Sequence, residues 1–308
     1  MSLVTKLKGT GPSGFGASST ADEVTAGLDL HGKTYLITGC AGGLGKETMR
    51  ALASRGARIV ATARTAERAR QATADLGLTD AVALACQLAD ATSVRECVAE
   101  VKRQGLSLDG IICNAGVMAL RERQVVHGCE LQLFTNHVGH FILVTGLLEN
   151  LTDKGRVVVL SSAAHMRTYR GGIDFSDLSA SRSYGPWKAY GQSKLANILF
   201  ANELSRRFDG TGRTANSLHP GVIGDTDLWK HLPPIANTFM RRITPAFLKT
   251  QQQGAATSCY VATHPSLERV SGRYFADCNV AQPSAYARDA TLAQQLWDRT
   301  EQLVASIP

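Results

Sequence analysis

The stretch Thr34 to Arg64, TYLITGCAGGLGKETMRALASRGARIVATAR, sets an apolar run, a glycine-rich turn, a helical pattern and a second apolar run in an order that few folds accommodate. Tyr35, Leu36 and Ile37 suit a buried strand, and Thr38-Gly39-Cys40-Ala41-Gly42-Gly43-Leu44-Gly45 supplies bends that a Cβ would obstruct. A helix starting there presents unpaired N–H groups and a partial positive charge, while the glycines let a pyrophosphate approach the backbone. The stretch reads as half of a nucleotide-binding βαβ unit. The plain alternative is a glycine-rich turn of an ordinary α/β protein.

Strand and helix signals go on alternating. Strands are expected over 58–62, 81–86, 110–113, 156–160, 214–218 and 273–275, and helices over 66–76, 92–102, 130–149, 190–207, 252–263 and 289–304, with Pro186 where a helix can begin. Such alternation with short connections implies an α/β fold, a doubly wound parallel sheet of Rossmann type with ligands at the carboxyl ends of its strands. In 308 residues no long linker follows residue 30, so residues 31–308 read as one domain. Residues 1–30 read as a flexible segment to about residue 18, then a short helix opened by the capping box Thr20-Ala21-Asp22-Glu23. Residues 222–250, with Trp229, Pro233, Pro234, Phe239 and Phe247, are too apolar for a free loop and too broken for one helix; a lid over an apolar pocket fits both facts.

Composition removes several classes. Seven cysteines form no C-x-x-C pair and lie mostly in apolar segments, so they read as buried thiols of a reducing compartment. The formal charge of +7 comes from scattered arginines with no aromatic residues interleaved, which describes a solvated surface and not a nucleic-acid face. No run of 18 apolar residues or secretory h-region occurs, so no membrane anchor is expected and the cytoplasm is the default. His137 and His140 are three apart on a helix, without an apparent third ligand; they read as packing or surface residues, and no metal is expected.

Tyr190 and Lys194 project from one helix face, Ser162 ends a strand, and Asn136 lies inside a helix. Each has a bland reading: a packing ring, a solvated charge, a cap, a core amide. Their company carries the weight. T-G-x-x-x-G-x-G with glycines at 39, 43 and 45, Asn114-Ala115-Gly116, Asn136, Ser162, Tyr190/Lys194 and Pro220-Gly221 occur in an order that resembles the short-chain dehydrogenase/reductase family over about residues 30 to 290. The phrases 43–48, 136–141 and 193–197 are most similar to its retinol-dehydrogenase-like branch.

Carbonyl reduction needs a hydride at carbon and a proton at oxygen. A tyrosine is a reluctant acid/base, and a lysine ammonium one turn away is expected to lower its pKa, while Ser162 can hydrogen-bond the substrate oxygen. The resemblance implies Tyr190 as acid/base, Lys194 also holding the nicotinamide ribose, Asn136 anchoring a water relay, and Gly39, Gly43, Leu44, Gly45, Arg64, Asn114, Ala115, Gly116, Tyr190, Lys194, Pro220, Gly221 and Thr226 around the cofactor. Two positions depart from the family pattern: Gln87 stands where an acid often meets the adenine, and Asp225 where a threonine is usual, with Thr226 one later. Ala63 stands where an NADH enzyme places an acid and Arg64 follows, so NADPH/NADP+ is the expected cofactor. The expected reaction interconverts a carbonyl and an alcohol on a mid-sized apolar small molecule, with a homodimer possible. A non-catalytic NAD(P)-binding regulator and a reductase of a different double bond are the alternatives.

Overall fold

In the computed structural model, which describes residues 9–224 and 248–308, eight strands form one sheet in the order β10-β9-β8-β7-β4-β1-β2-β3. They are β1 (Thr34–Thr38), β2 (Arg58–Ala63), β3 (Val82–Ala85), β4 (Leu108–Cys113), β7 (Leu151–Leu160), β8 (Thr214–His219), β9 (Tyr274–Ala276) and β10 (Asn279–Ala281), with β5 (Val125–Val126) and β6 (Cys129–Glu130) in a separate hairpin. All neighbours in the sheet are parallel except β9 and β10. The chain winds outward from β1 to β3, then returns to β4 on the other side of β1. Between β1 and β4 the connections diverge and leave a crevice at the strand ends.

Strand periodicity sorts the core onto two faces. Leu36, Ile111, Cys113, Val157 and Val159 point to one cluster; Tyr35, Ile37, Ile112, Val158 and Leu160 point to the other. The first is covered by α4 (Ala91–Arg103), α5 (residues 131–146), α6 (Pro186–Arg207) and α8 (Ala290–Ala305), the second by α1 (Ala21–Val24), α2 (Gly43–Ala53) and α7 (Gln251–Thr263). Helix α3 (Ala66–Ala74) packs beside β2 and β3. All seven cysteines are free and buried within this frame.

Two local features differ from expectation. Composition marks the chain to about residue 18 as mobile, yet residues 9–19 are seated on the fold: Asn279 accepts the Ser13 N–H at 3.0 Å and donates to the Phe15 carbonyl at 3.0 Å, and the Phe15 ring meets Tyr260 edge-on. Helix α5 is not one regular helix to residue 149. It contains a π turn at Phe134–Val138, stops at Gly146, and β7 begins at Leu151, earlier than its β-branched run. Of the expected lid, residues 222–224 and 248–250 are described, joined by a parallel bridge between Ile223 and Lys249; Asp225, Thr226 and Trp229 lie outside the described residues.

Candidate functional site

Two phrases far apart in the chain meet at the crevice. Thr38 Oγ1 accepts the N–H groups of Asn114 and Ala115, both at 2.9 Å, and the Asn114 side-chain amide donates to the Thr38 carbonyl at 2.8 Å. Gly39 has φ +76°, which favours glycine. A Cβ on Gly45 would lie 2.3 Å from the Gly39 carbonyl oxygen, so α2 seats directly on the turn only because that position is bare. Gly43 opens the helix, and Leu44 reaches across to α7 at Gly254.

The N-termini are treated unequally. Side chains of Thr65, Asp90, Thr250 and Asp289 cap α3, α4, α7 and α8, whereas α2, which follows Gly42, and α6, which opens on Pro186, have no side-chain cap. The first N–H groups of α2 are thus free for an anionic ligand, which fits a dinucleotide pyrophosphate. At the end of β2, Ala63 is buried and Arg64 exposed; among the described residues no carboxylate pairs with that guanidinium. Gln87 is half-buried beyond β3, its N–H donating to Ser93 Oγ at 3.1 Å. Pro220-Gly221 leaves β8 beneath the stem of Lys249, whose buried ammonium pairs with Asp277 at 2.6 Å.

Asn136, Ser162, Tyr190 and Lys194 are brought together from three elements. Asn136, in the π turn, clamps Val117 by accepting its N–H at 2.8 Å and donating to its carbonyl at 2.9 Å, and it donates to Ser193 Oγ at 2.9 Å. A Cβ on Gly116 would stand 2.9 Å from Asn136 Oδ1 and 3.5 Å from Lys194 Nζ, which places the lysine head beside that clamp. Lys194 donates to the Leu160 carbonyl at 3.0 Å, and its Nζ is 5.7 Å from the centre of the Tyr190 ring. Ser162 accepts the Ala164 N–H at 3.2 Å, and its hydroxyl lies near enough to the Tyr190 phenol to favour the phenolate.

Residues 33–235 match the family model described as short chain dehydrogenase. The chain belongs to the short-chain dehydrogenase/reductase family. It is 40% identical to the chloroplastic short-chain dehydrogenase TIC 32 A of Brassica napus over 97% of each chain. It is 38% identical to human retinol dehydrogenase 14, over 89% of this chain and 87% of that protein, so it is retinol-dehydrogenase-like within the family. A protein from Mycobacterium paratuberculosis superposes with a TM-score of 0.72 at 32% identity, covering 92% of this chain and 97% of that one. The molecule is an oxidoreductase of a family that binds NAD(P). Among the described residues no helix is long and apolar enough to cross a membrane.

The electrostatics of this short-chain dehydrogenase correct one expectation. Burial pushes the Tyr190 hydroxyl up to about 12, and the nearby Ser162 hydroxyl pulls it down only in part. The Lys194 ammonium donates to the Leu160 carbonyl in this geometry, and burial outweighs any lowering of the phenol by its charge. Burial also brings Lys194 itself down to about 8. Tyr190 therefore rests as a phenol, the form that can donate a proton.

Sequence reasoning missed the residues that hold the set in place. Ser161 donates from Oγ to the Lys194 carbonyl at 2.7 Å, tying β7 to α6. Ser193 donates to the Tyr190 carbonyl at 2.8 Å while receiving the Asn136 amide. His165 bonds the Ser162 carbonyl at 2.7 Å, and its other nitrogen accepts the Ser284 N–H at 3.0 Å. The available signal was adjacency: each is within three residues of a predicted member. His137 and His140, expected as packing or surface residues, are both fully buried; His137 bonds Thr300 Oγ1 at 2.9 Å and burial holds its pKa down to about 3.

Proposed function

We propose that the protein is an NADPH-dependent oxidoreductase that interconverts a carbonyl and an alcohol on a mid-sized apolar substrate. The observation that carries this reading is the convergence of a buried phenol, a serine hydroxyl near it and a buried lysine ammonium 5.7 Å from the centre of its ring. When bound, the nicotinamide supplies or accepts the hydride. In reduction the C=O π electrons move to oxygen, which takes the Tyr190 proton while Ser162 donates a hydrogen bond to the same atom. Oxidation runs the proton back onto the Tyr190 oxygen. Lys194 and the Asn136 clamp fix the tyrosine helix against Gly116, and in this reading Lys194 also meets the nicotinamide ribose.

The apolar substrate class is supported by what surrounds the phenol. Tyr190 packs with Met118, Ala119 and Ala164, and the Trp187 ring stands edge-on to it at 6.1 Å. The Trp187 ring is itself 38% exposed, so it is open to an apolar ligand beside the phenol. NADPH is favoured because Arg64 is exposed beside Ala63, where a guanidinium fork can meet a 2′-phosphate.

A screen of ketones, aldehydes and alcohols by nicotinamide absorbance tests the activity, with Tyr190→Phe as the deciding variant. It should bind cofactor as the wild type does and lose about 10²- to 10⁴-fold in turnover, the usual range for a general acid. Full turnover in Tyr190→Phe would sink the assignment. Lys194→Met should weaken both turnover and cofactor binding.

A further inference from the structure

We infer that His140 is a positioning residue that locks the cofactor turn, the Asn114-Ala115 corner and Asn136 into one register through a single tautomer. The inference rests on the oxidoreductase reading for its kinetic consequences and on bond geometry for its structure. His140 is completely buried, with Nδ1 2.9 Å from the Asn136 carbonyl oxygen and Nε2 2.9 Å from Thr38 Oγ1. A carbonyl only accepts, so Nδ1 carries the hydrogen. Desolvation keeps the ring neutral, its pKa held down to about 4, so Nε2 is bare and must accept.

Every other proton then follows. Thr38 turns its hydroxyl hydrogen to Nε2, because its other acceptor, the Ile112 carbonyl, is 3.5 Å away. The Thr38 lone pairs are left for the N–H groups of Asn114 and Ala115. One directional chain results: two backbone donors into Thr38, Thr38 into His140, His140 into Asn136. It crosses from the end of β1 and the corner after β4 to the π turn of α5, the elements that carry the cofactor platform and the Asn136 clamp. No hydrogen bond in it can be reversed without leaving two acceptors or two donors face to face in a dry interior.

The two arms separate chemically. In His140→Asn the amide nitrogen stands near the place of Nδ1 and keeps the Asn136 arm, while nothing reaches Thr38. In His140→Gln the longer amide reaches toward Thr38 and gives up the Asn136 arm. Titration with NADPH and single-turnover rates should therefore split: His140→Asn raises the NADPH Kd about tenfold with a smaller change in kcat, and His140→Gln lowers kcat about tenfold with a smaller change in Kd. On the wild-type protein, nitrogen-15 NMR should show a bare Nε2 and a protonated Nδ1 down to pH 5, a measurement that does not depend on either variant folding. A protonated Nε2, or both variants losing thermal stability with Kd and kcat unchanged, would overturn the inference. If instead Tyr190→Phe keeps full turnover, the oxidoreductase mechanism fails while the NMR tautomer and the NADPH arm still report on His140.

Discussion

Around Lys194 the polar side chains are buried and bonded to neighbouring elements, with Ser161, Ser193, Asn136 and the Asn197 amide nitrogen engaged, whereas after buried Ala63 the Arg64 side chain is exposed and, among the described residues, its guanidinium has no carboxylate partner. The contrast separates what the molecule can change from what it cannot. At the buried end a substitution leaves a partner orphaned, at about 1–3 kcal/mol for each group, so the chemistry is over-determined. At the exposed end, in the proposed reading, the Arg64 side chain sets an affinity difference, and among the described residues no ion pair rests on it.

Acid should break the buried end first. His137 and His140 are held neutral in the fold, near 3 and 4, against about 6.5 in the unfolded chain. The unfolded state then binds more protons between those values, so stability is full above pH 6.5 and is lost as pH falls toward 4. Two such groups should cost on the order of 3–4 kcal/mol between pH 6.5 and 5. Urea denaturation at the two pH values measures it, and an unchanged midpoint would mean these rings are not kept neutral by burial.

Gly191→Ala should come next in size. A Cβ there would lie 2.0 Å from the Arg167 carbonyl oxygen, which pins the segment after Ser162 against α6. Backbone must move, so a loss of about 1–3 kcal/mol in stability is expected, as for other overpacked sites, with turnover falling through a displaced Ser162. Calorimetry and kcat on the same preparation check both; loss of stability with full kcat would show that Ser162 is not held by this contact.

At the exposed end the effects should be selective rather than large. Arg64→Ser should reduce the NADPH preference in kcat/KM by about ten- to a hundredfold with the melting temperature nearly unchanged, and Ala63→Asp should reverse the preference while lowering the melting temperature, because Ala63 is buried. The preference should also shrink with added salt, since the guanidinium is solvated. Equal use of NADH and NADPH by the wild type would remove Arg64 from this role. Smallest of all, Trp187→Ala should raise KM a few-fold for bulky apolar substrates and leave small ones alone, as measured by steady-state kinetics across a size series.

The same contrast explains what was legible in the sequence. Period-two alternation at Tyr35-Leu36-Ile37 and Val157-Val158-Val159 reported the two-faced sheet directly, and the capping box at Thr20 forms with both arms. The glycines were legible because their bare Cα positions have local causes. The β5–β6 hairpin was not, although His127 and Gly128 both take positive φ in its turn, because its strands are two residues long and carry no periodicity. The π turn at Asn136 was equally hidden: the apolar spacing of 131–142 is satisfied by a helix with or without one widened turn. The bonds through His140, His165 and Ser161 depend on partners up to 119 residues away, which no local pattern encodes.

The seven buried thiols give the fold a built-in clock. Burial raises Cys40, Cys113, Cys129, Cys259 and Cys278 well above the ordinary thiol range, so the reactive thiolate is scarce as well as shielded. An alkylating reagent can then reach sulfur only when the surrounding element opens. Cys113 sits at the end of β4 beside the crevice and Cys259 in α7 on the opposite face of the sheet. The order in which they are labelled under native conditions reads out, residue by residue, which layer of the molecule breathes first.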